Sequence, residues 1–115
     1  MAYVKGIHPF SVQAAGTVLN VGEAGAADRQ FTVYLIDIQN TTAAVAYLQI
    51  FNKRAADVTL GTTAPTYAFG VPASGHITIP MPEGLYLGGG GMSVAGTTTR
   101  TGSTGAAVDI NVSYQ

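Results

Sequence analysis

The stretch Val108-Asp109-Ile110-Asn111-Val112-Ser113-Tyr114-Gln115 alternates apolar and polar residues without a break. A strand turns successive side chains to opposite faces, so one face of this segment is buried and the other is wet. The same period of two runs through Ile77-Thr78-Ile79, ahead of Pro80. Residues 31–38 and 43–51 carry apolar side chains at both parities. They read as central strands, covered by the opposite sheet within and by a loop or a neighbour outside. Strands are expected near 3–8, 15–21, 30–39, 44–52, 65–71, 75–80, 84–95 and 106–114. The breaks between them carry turn chemistry: Gly22-Glu23-Ala24-Gly25, Asn40-Thr41-Thr42, Ala73-Ser74-Gly75 and Pro80-Met81-Pro82-Glu83-Gly84. Pro80 and Pro82 lack the donor that a central strand requires. The only helical candidate is a turn at 53–58. About eight short strands with polar turns predict an all-β fold, a two-sheet antiparallel β-sandwich that is jelly-roll-like, in one domain over 1–115.

Two stretches stand apart. Gly88-Gly89-Gly90-Gly91 interrupts the apolar run from Leu85 to Ala95, which predicts a bulge, a sharp bend or a close approach of backbone. Residues 96–105, Gly-Thr-Thr-Thr-Arg-Thr-Gly-Ser-Thr-Gly, are low in complexity and are expected to form an exposed, mobile hairpin loop that tolerates an insertion after Gly102.

Composition narrows the functional classes. Of 115 residues, 47% are hydrophobic and only 10% are charged, where about 25% is usual. Such a chain covers its outside with Thr, Ser, Asn, Gln and Gly, or hides it against partners. The net charge of −1 leaves no electrostatic footprint for nucleic acid. Without cysteine, disulfides, thiolate zinc sites and redox work drop out together. No basic-then-apolar leader pattern and no apolar run long enough for a membrane span is visible, so assembly in a cytoplasm is expected.

The residues with chemistry do not assemble into a constellation. His8 and His76 have no second histidine or carboxylate at local ligand spacing, so neither a metal nor a cofactor is expected. No serine sits in a Gly-x-Ser-x-Gly elbow, and Met92-Ser93-Val94 continues as strand after the glycines, which rules out a phosphate loop. Asp37 is the exception among the carboxylates, because it lies inside the apolar run Leu35-Ile36-Asp37-Ile38. There it must be paired or face water, with Arg29, Lys53, Arg54 or a neighbouring subunit as its expected partner. Asn40-Thr41-Thr42 and Asn111-Val112-Ser113 match glycosylation acceptors by chance. Tyr3, Tyr47, Tyr67 and Tyr86 could stack on sugars, although strand alternation explains them equally well. No enzymatic activity and no small-molecule substrate are expected.

The second half carries a layout of its own: Tyr47-Leu48-Gln49-Ile50-Phe51-Asn52-Lys53, then Thr62-Thr63-Ala64-Pro65, then Phe69-Gly70-Val71-Pro72-Ala73-Ser74-Gly75. Gly84-Leu85-Tyr86-Leu87 and a Thr/Gly-rich hairpin leading into the last strand complete it. This layout resembles small β-sandwich structural proteins of tailed bacteriophages, including capsid decoration (cement) proteins. The resemblance implies a virion protein on the capsid surface, bound to the major capsid protein as a homotrimer and reinforcing the shell. It also implies an N-terminal arm, here residues 1–12, reaching onto that shell. The expected contact residues are Val4, Ile7, Pro9 and Phe10 in the arm and Arg100 in the loop. The alternatives are a tail or receptor-binding module with glycan affinity, and a cellular carbohydrate-binding or adhesion domain. The trimer has a second motive: strands apolar on both faces need more cover than one small chain readily provides.

Overall fold

The computed structural model describes residues 8–22 and 30–115. Its strands are β1 (His8–Ala14), β2 (Leu19–Asn20), β3 (Phe31–Gln39), β4 (Ala46–Phe51), β5 (Tyr67–Val71), β6 (His76–Leu87), β7 (Ser93–Thr97) and β8 (Val108–Tyr114). One turn of 3-10 helix, Ala55–Asp57, falls inside the expected helical turn. The strands form two four-stranded sheets of order β1-β8-β3-β6 and β2-β7-β4-β5, antiparallel throughout. The pairs β1–β8, β2–β7, β3–β6 and β4–β5 are those of one long hairpin with β4 and β5 at its tip. Rolling that hairpin on itself adds the β8–β3 and β7–β4 contacts and leaves two stacked sheets. That is jelly-roll topology, and the all-β, two-sheet reading holds.

The core lies between the sheets. Val108, Ile110, Val112 and Tyr114 of β8 are all buried, and their register partners Val12, Phe10, Ile36 and Ile38 face the same interior. Leu48 and Ile50 of β4 and Val94 of β7 close it from the other sheet.

Three expectations change. First, β3 is not apolar on two faces. Its register slips between Val33 and Leu35, so Phe31 and Val33 point inward before the slip and Ile36 and Ile38 after it. A bulge inverts the alternation and turns Tyr34 and Leu35 outward. Second, β6 runs straight through the expected break at 80–84. Leu35 faces Pro80 and Val33 faces Leu85, so Met81-Pro82-Glu83-Gly84 loops out opposite Tyr34. Gly84 has φ +82°, and a side chain there would meet Thr32 Cγ2 at 2.6 Å. The prolines are tolerated because β6 is an edge strand. The four glycines lie between β6 and β7 and turn the chain from one sheet to the other, the bend that was among the expectations for them.

The third correction concerns the arm and the loop. Residues 8–12 belong to β1, which pairs along its whole length with β8, and Phe10 packs on the core. They are a strand of the sheet, so removing residues 1–10 would strip ladder bonds and core area together. Residues 96–105 begin with the end of β7 and then fold down onto the outer face of β4. Gln49 Nε2 donates to Thr97 Oγ1 at 2.8 Å and to Gly102 O at 3.0 Å. Thr98 N donates to Thr104 O at 2.9 Å. The loop is exposed at its tip but anchored, and an insertion after Gly102 would break an anchor. Residues 52–66 cover the rest of that face, with Ser93 Oγ donating to Lys53 O at 2.8 Å. Gln49, Phe51, Ser93 and Thr97 are therefore buried on the side away from the core. Of the two covers expected for this face, a loop or a neighbour, the chain's own loops supply one.

Candidate functional site: the open face of the β1-β8-β3-β6 sheet

With one sheet sealed by its loops, the outer face of the other is left uncovered by the described residues. Because Val108, Ile110, Val112 and Tyr114 point inward, Asp109, Asn111 and Ser113 point out. The register aligns residues of all four strands with them. Ser11, Asn111, Asp37 and Thr78 form one row. Gln13, Asp109, Gln39 and His76 form the next, and Pro9, Ser113, Leu35 and Pro80 a third. Strand spacing of about 4.8 Å and two-residue spacing of about 6.8 Å make this platform roughly 14 Å on each side.

Side chains on the platform bond to one another along the rows. Ser11 Oγ donates to Asn111 Oδ1, and Gln13 Nε2 donates to Asp109 Oδ1 at 3.2 Å. Thr78 Oγ1 donates to Asp37 Oδ1 at 2.9 Å. The His76 ring nitrogen Nε2 bonds the same carboxylate oxygen from the neighbouring row, the diagonal cross-strand geometry of an antiparallel pair. Asp37 thus finds its partners across the sheet, in His76 and Thr78. Of the cations expected for it, Arg54 pairs with Asp57 at 3.0 Å and Arg29 lies outside the described residues.

The Asp37 pKa is lowered from 3.8, first by the Thr78 hydrogen bond; burial opposes this, and the hydrogen bond and charge of His76 together with a hydrogen bond from Asn111 carry it downward. A carboxylate with a depressed folded pKa contributes stability that is full above its unfolded value and is lost as pH falls through the folded one. Asp37→Asn should therefore lower stability slightly at neutral pH and flatten the acid limb of a pH–stability curve below 3.8. Parallel acid limbs in the two proteins would show that the contact contributes nothing. Because both groups are substantially exposed, the effect is small.

Beyond the third row the surface becomes aromatic. Tyr34 Oη donates to Gln115 Oε1 at 3.0 Å, and Tyr86, opposite Thr32, is 61% exposed. No Lys or Arg stands in the three rows, and among the described residues no group of three His, Cys, Asp or Glu could hold a metal ion. No helix of the described residues is long and apolar enough to cross a membrane.

Of the five residues expected to make contact, the structure describes three. Val4 and Ile7 lie outside the described residues. Pro9 stands on the platform, Phe10 points into the core, and Arg100 lies on the other sheet, 5.5 Å from the Tyr47 ring centroid. Sequence reading missed the set Ser11, Gln13, Gln39, Thr78, Asp109 and Asn111. The signal available was the wet parity of each strand; what was missing was the register that lines those parities up. No family model matches the chain, and no curated protein matches it in sequence.

Proposed function

We propose that this chain is a non-catalytic virion assembly protein that docks on an already built protein shell, the major capsid protein being its partner, and reinforces it. The observation that supports this reading is the asymmetry of the sandwich. One sheet is closed by its own loops, whereas the other, among the described residues, offers a face without Lys or Arg whose two carboxylates, Asp109 and Asp37, accept hydrogen bonds from Gln13 and Thr78. Docking such a face desolvates no Lys or Arg, and its carboxylates keep a hydrogen bond within the sheet. The resemblance of the second half to capsid decoration proteins points the same way and adds the homotrimer, for which the fold supplies no separate reason.

The platform covers on the order of 200 Å², well short of the roughly 800 Å² per partner of a standard interface. One copy would therefore hold weakly, and stable attachment needs many copies or several contacts per copy on the lattice. Tyr86, exposed at the end of a row of amides and hydroxyls, supports a second reading, in which the same face binds glycans on a host surface.

The test is co-sedimentation of the purified protein with heads that lack it. Asn111→Arg, which places a long cation in the middle of the platform, should keep the fold and lose attachment. Heads carrying the protein should burst at a higher temperature than bare heads, since a ligand that binds only the assembled shell stabilises it by mass action. Equal heat resistance of bare and complete heads would sink the reinforcing role. Retention of specific glycans on an array, lost in Tyr86→Ala, would move the assignment to receptor binding.

A further inference from the structure

Among the described strands four edges are free: β1 and β6 in one sheet, β2 and β5 in the other. Three of them are blunted by known devices. β1 carries Pro9, β6 carries Pro80 and Pro82, and β2 is two residues long. β5 is different. Tyr67-Ala68-Phe69-Gly70-Val71 holds neither proline nor charge, and no Asp, Glu, Lys or Arg occurs from residue 58 to 75.

The direction of its free backbone groups can be read from the ladder. Ile50 O accepts from Thr66 N at 2.8 Å, so residues 46, 48 and 50 direct their backbone groups toward β5. Their partners Val71, Phe69 and Tyr67 bond back. By alternation, Ala68 and Gly70 present N–H and C=O to the outside. One of these groups is occupied: Arg100 Nη1 donates to Ala68 O at 3.0 Å. The guanidinium reaches it across the Tyr47 ring, which lies opposite Gly70. The loop that seals this sheet thus ends in a cation closing the one unblunted edge.

We infer that the outer edge of β5 is a strand-pairing surface for a second copy of this chain, held closed in the monomer by Arg100. An antiparallel pairing about a two-fold axis at Phe69 is self-complementary. Ala68 then exchanges both backbone hydrogen bonds with Gly70 of the second copy and Gly70 with its Ala68, four bonds in all. Tyr67, which is 38% exposed and stacked on Phe69 at 6.3 Å, comes to face Val71 of the second copy. Pro65 and Pro72 end the window on both sides, so the two strands match in length. The absence of charge is what admits an identical strand, because like charges on two copies would repel. So short a seam falls below the roughly 1,200 Å² of a stable interface, which is why one side-chain bond suffices to hold it shut.

The experiment compares wild type, Arg100→Ala and Arg100→Ala/Tyr67→Lys by light scattering over a range of concentrations, with circular dichroism to establish folding. The wild type should stay at its starting mass. Arg100→Ala should rise toward about a twofold mass, and the added lysine should reverse that rise. Amide exchange reads the seam directly: Ala68 and Gly70 N–H should slow by about tenfold or more in associated Arg100→Ala, with other edges unchanged. If Arg100→Ala does not fold, Arg100→Gln, too short to span to Ala68, serves in its place. A folded Arg100 variant that keeps the wild-type mass, or one that associates with Ala68 and Gly70 unprotected, overturns the inference.

Discussion

Gly96→Ala is expected to destabilise the protein by about 3 kcal/mol or more, the upper end of what overpacking costs. A methyl group at this buried position would lie 2.2 Å from Ala106 O and 2.7 Å from Ala14 O. Both obstacles are backbone, and neither can rotate away as a side chain would. They are also held in place. Gly96 N donates to Ala15 O at 2.8 Å and Ala106 N donates to Gly96 O at 3.1 Å, so Gly96 is where β7 reaches across to the end of β1 and the approach to β8. Relief would require both segments to move. A domain of this size has about 6–17 kcal/mol of stability in all, and a loss of about 3 kcal/mol should lower the melting temperature by more than 10 °C. Gly90→Ala is the control: it has no atom within 4 Å of the added methyl but a φ of +92°, and should cost only about 1 kcal/mol of backbone strain. Denaturant unfolding distinguishes the two. Equal losses would mean that the β7 crossing yields freely.

The second large effect is expected at Asn40, where Asn40→Ala should cost about 3 kcal/mol as several buried polar groups lose their partner. Asn40 is 1% exposed. Its Nδ2 donates to Ala44 O at 2.8 Å, Val71 O at 3.1 Å and Pro72 O at 3.0 Å, while its Oδ1 accepts from Thr42 N at 2.9 Å and Thr42 Oγ1 at 2.7 Å. One amide therefore joins the β3–β4 turn to the β5–β6 turn. Asn40→Asp is the sharper experiment. A carboxylate there would face three carbonyl oxygens, so its charged form is disfavoured in the folded state and its pKa is raised above the unfolded value. By linkage the deficit is least at acid pH and grows as pH rises from about 4, a trend absent from Asn40→Ala. A pH-independent loss in the Asp variant would mean that the site opens to water. The same burial removes Asn40 from consideration as a glycan acceptor.

Asn40 illustrates what could be read in advance and what could not. Asn-Thr-Thr after an apolar run announces a turn, because a short polar side chain bonds its own backbone two residues on. That local part is visible in the sequence and is present in the Thr42 contacts. The bonds to Val71 and Pro72 join residues more than thirty positions apart, and no spacing along the chain encodes them. Asp37 makes the same point on the open face. Its place in an apolar run showed that it needed a partner, but the cations nearest in character were the natural candidates. The partner proved to be a histidine thirty-nine positions away, brought alongside by the β3–β6 register.

The apolar run 31–38 shows a subtler limit. Period-two reading assumes one parity throughout a strand, and a bulge at Tyr34 changes the parity midway, which makes a one-sided strand look two-sided. In 43–51 the reading was sound, and only the identity of the cover was open. A Thr/Gly loop with no apolar anchor was expected to be free, yet Gln49 and Arg100 tie it down through polar bonds to backbone, which hydrophobic patterning does not register.

By itself, then, the sequence determined the class of the molecule: strands from the period of two, turns from their residues, and the lack of a local catalytic or metal-ligand motif. These follow from short-range chemistry, where the i and i+2 relation is enough. Only the tertiary structure decided which wet faces share a platform, which edge stays unblunted, and that one sheet is sealed by loops while the described residues leave the other uncovered. Those properties depend on register and on the roll of the long hairpin, which are settled by packing between residues far apart along the chain, such as Ser11 and Asn111.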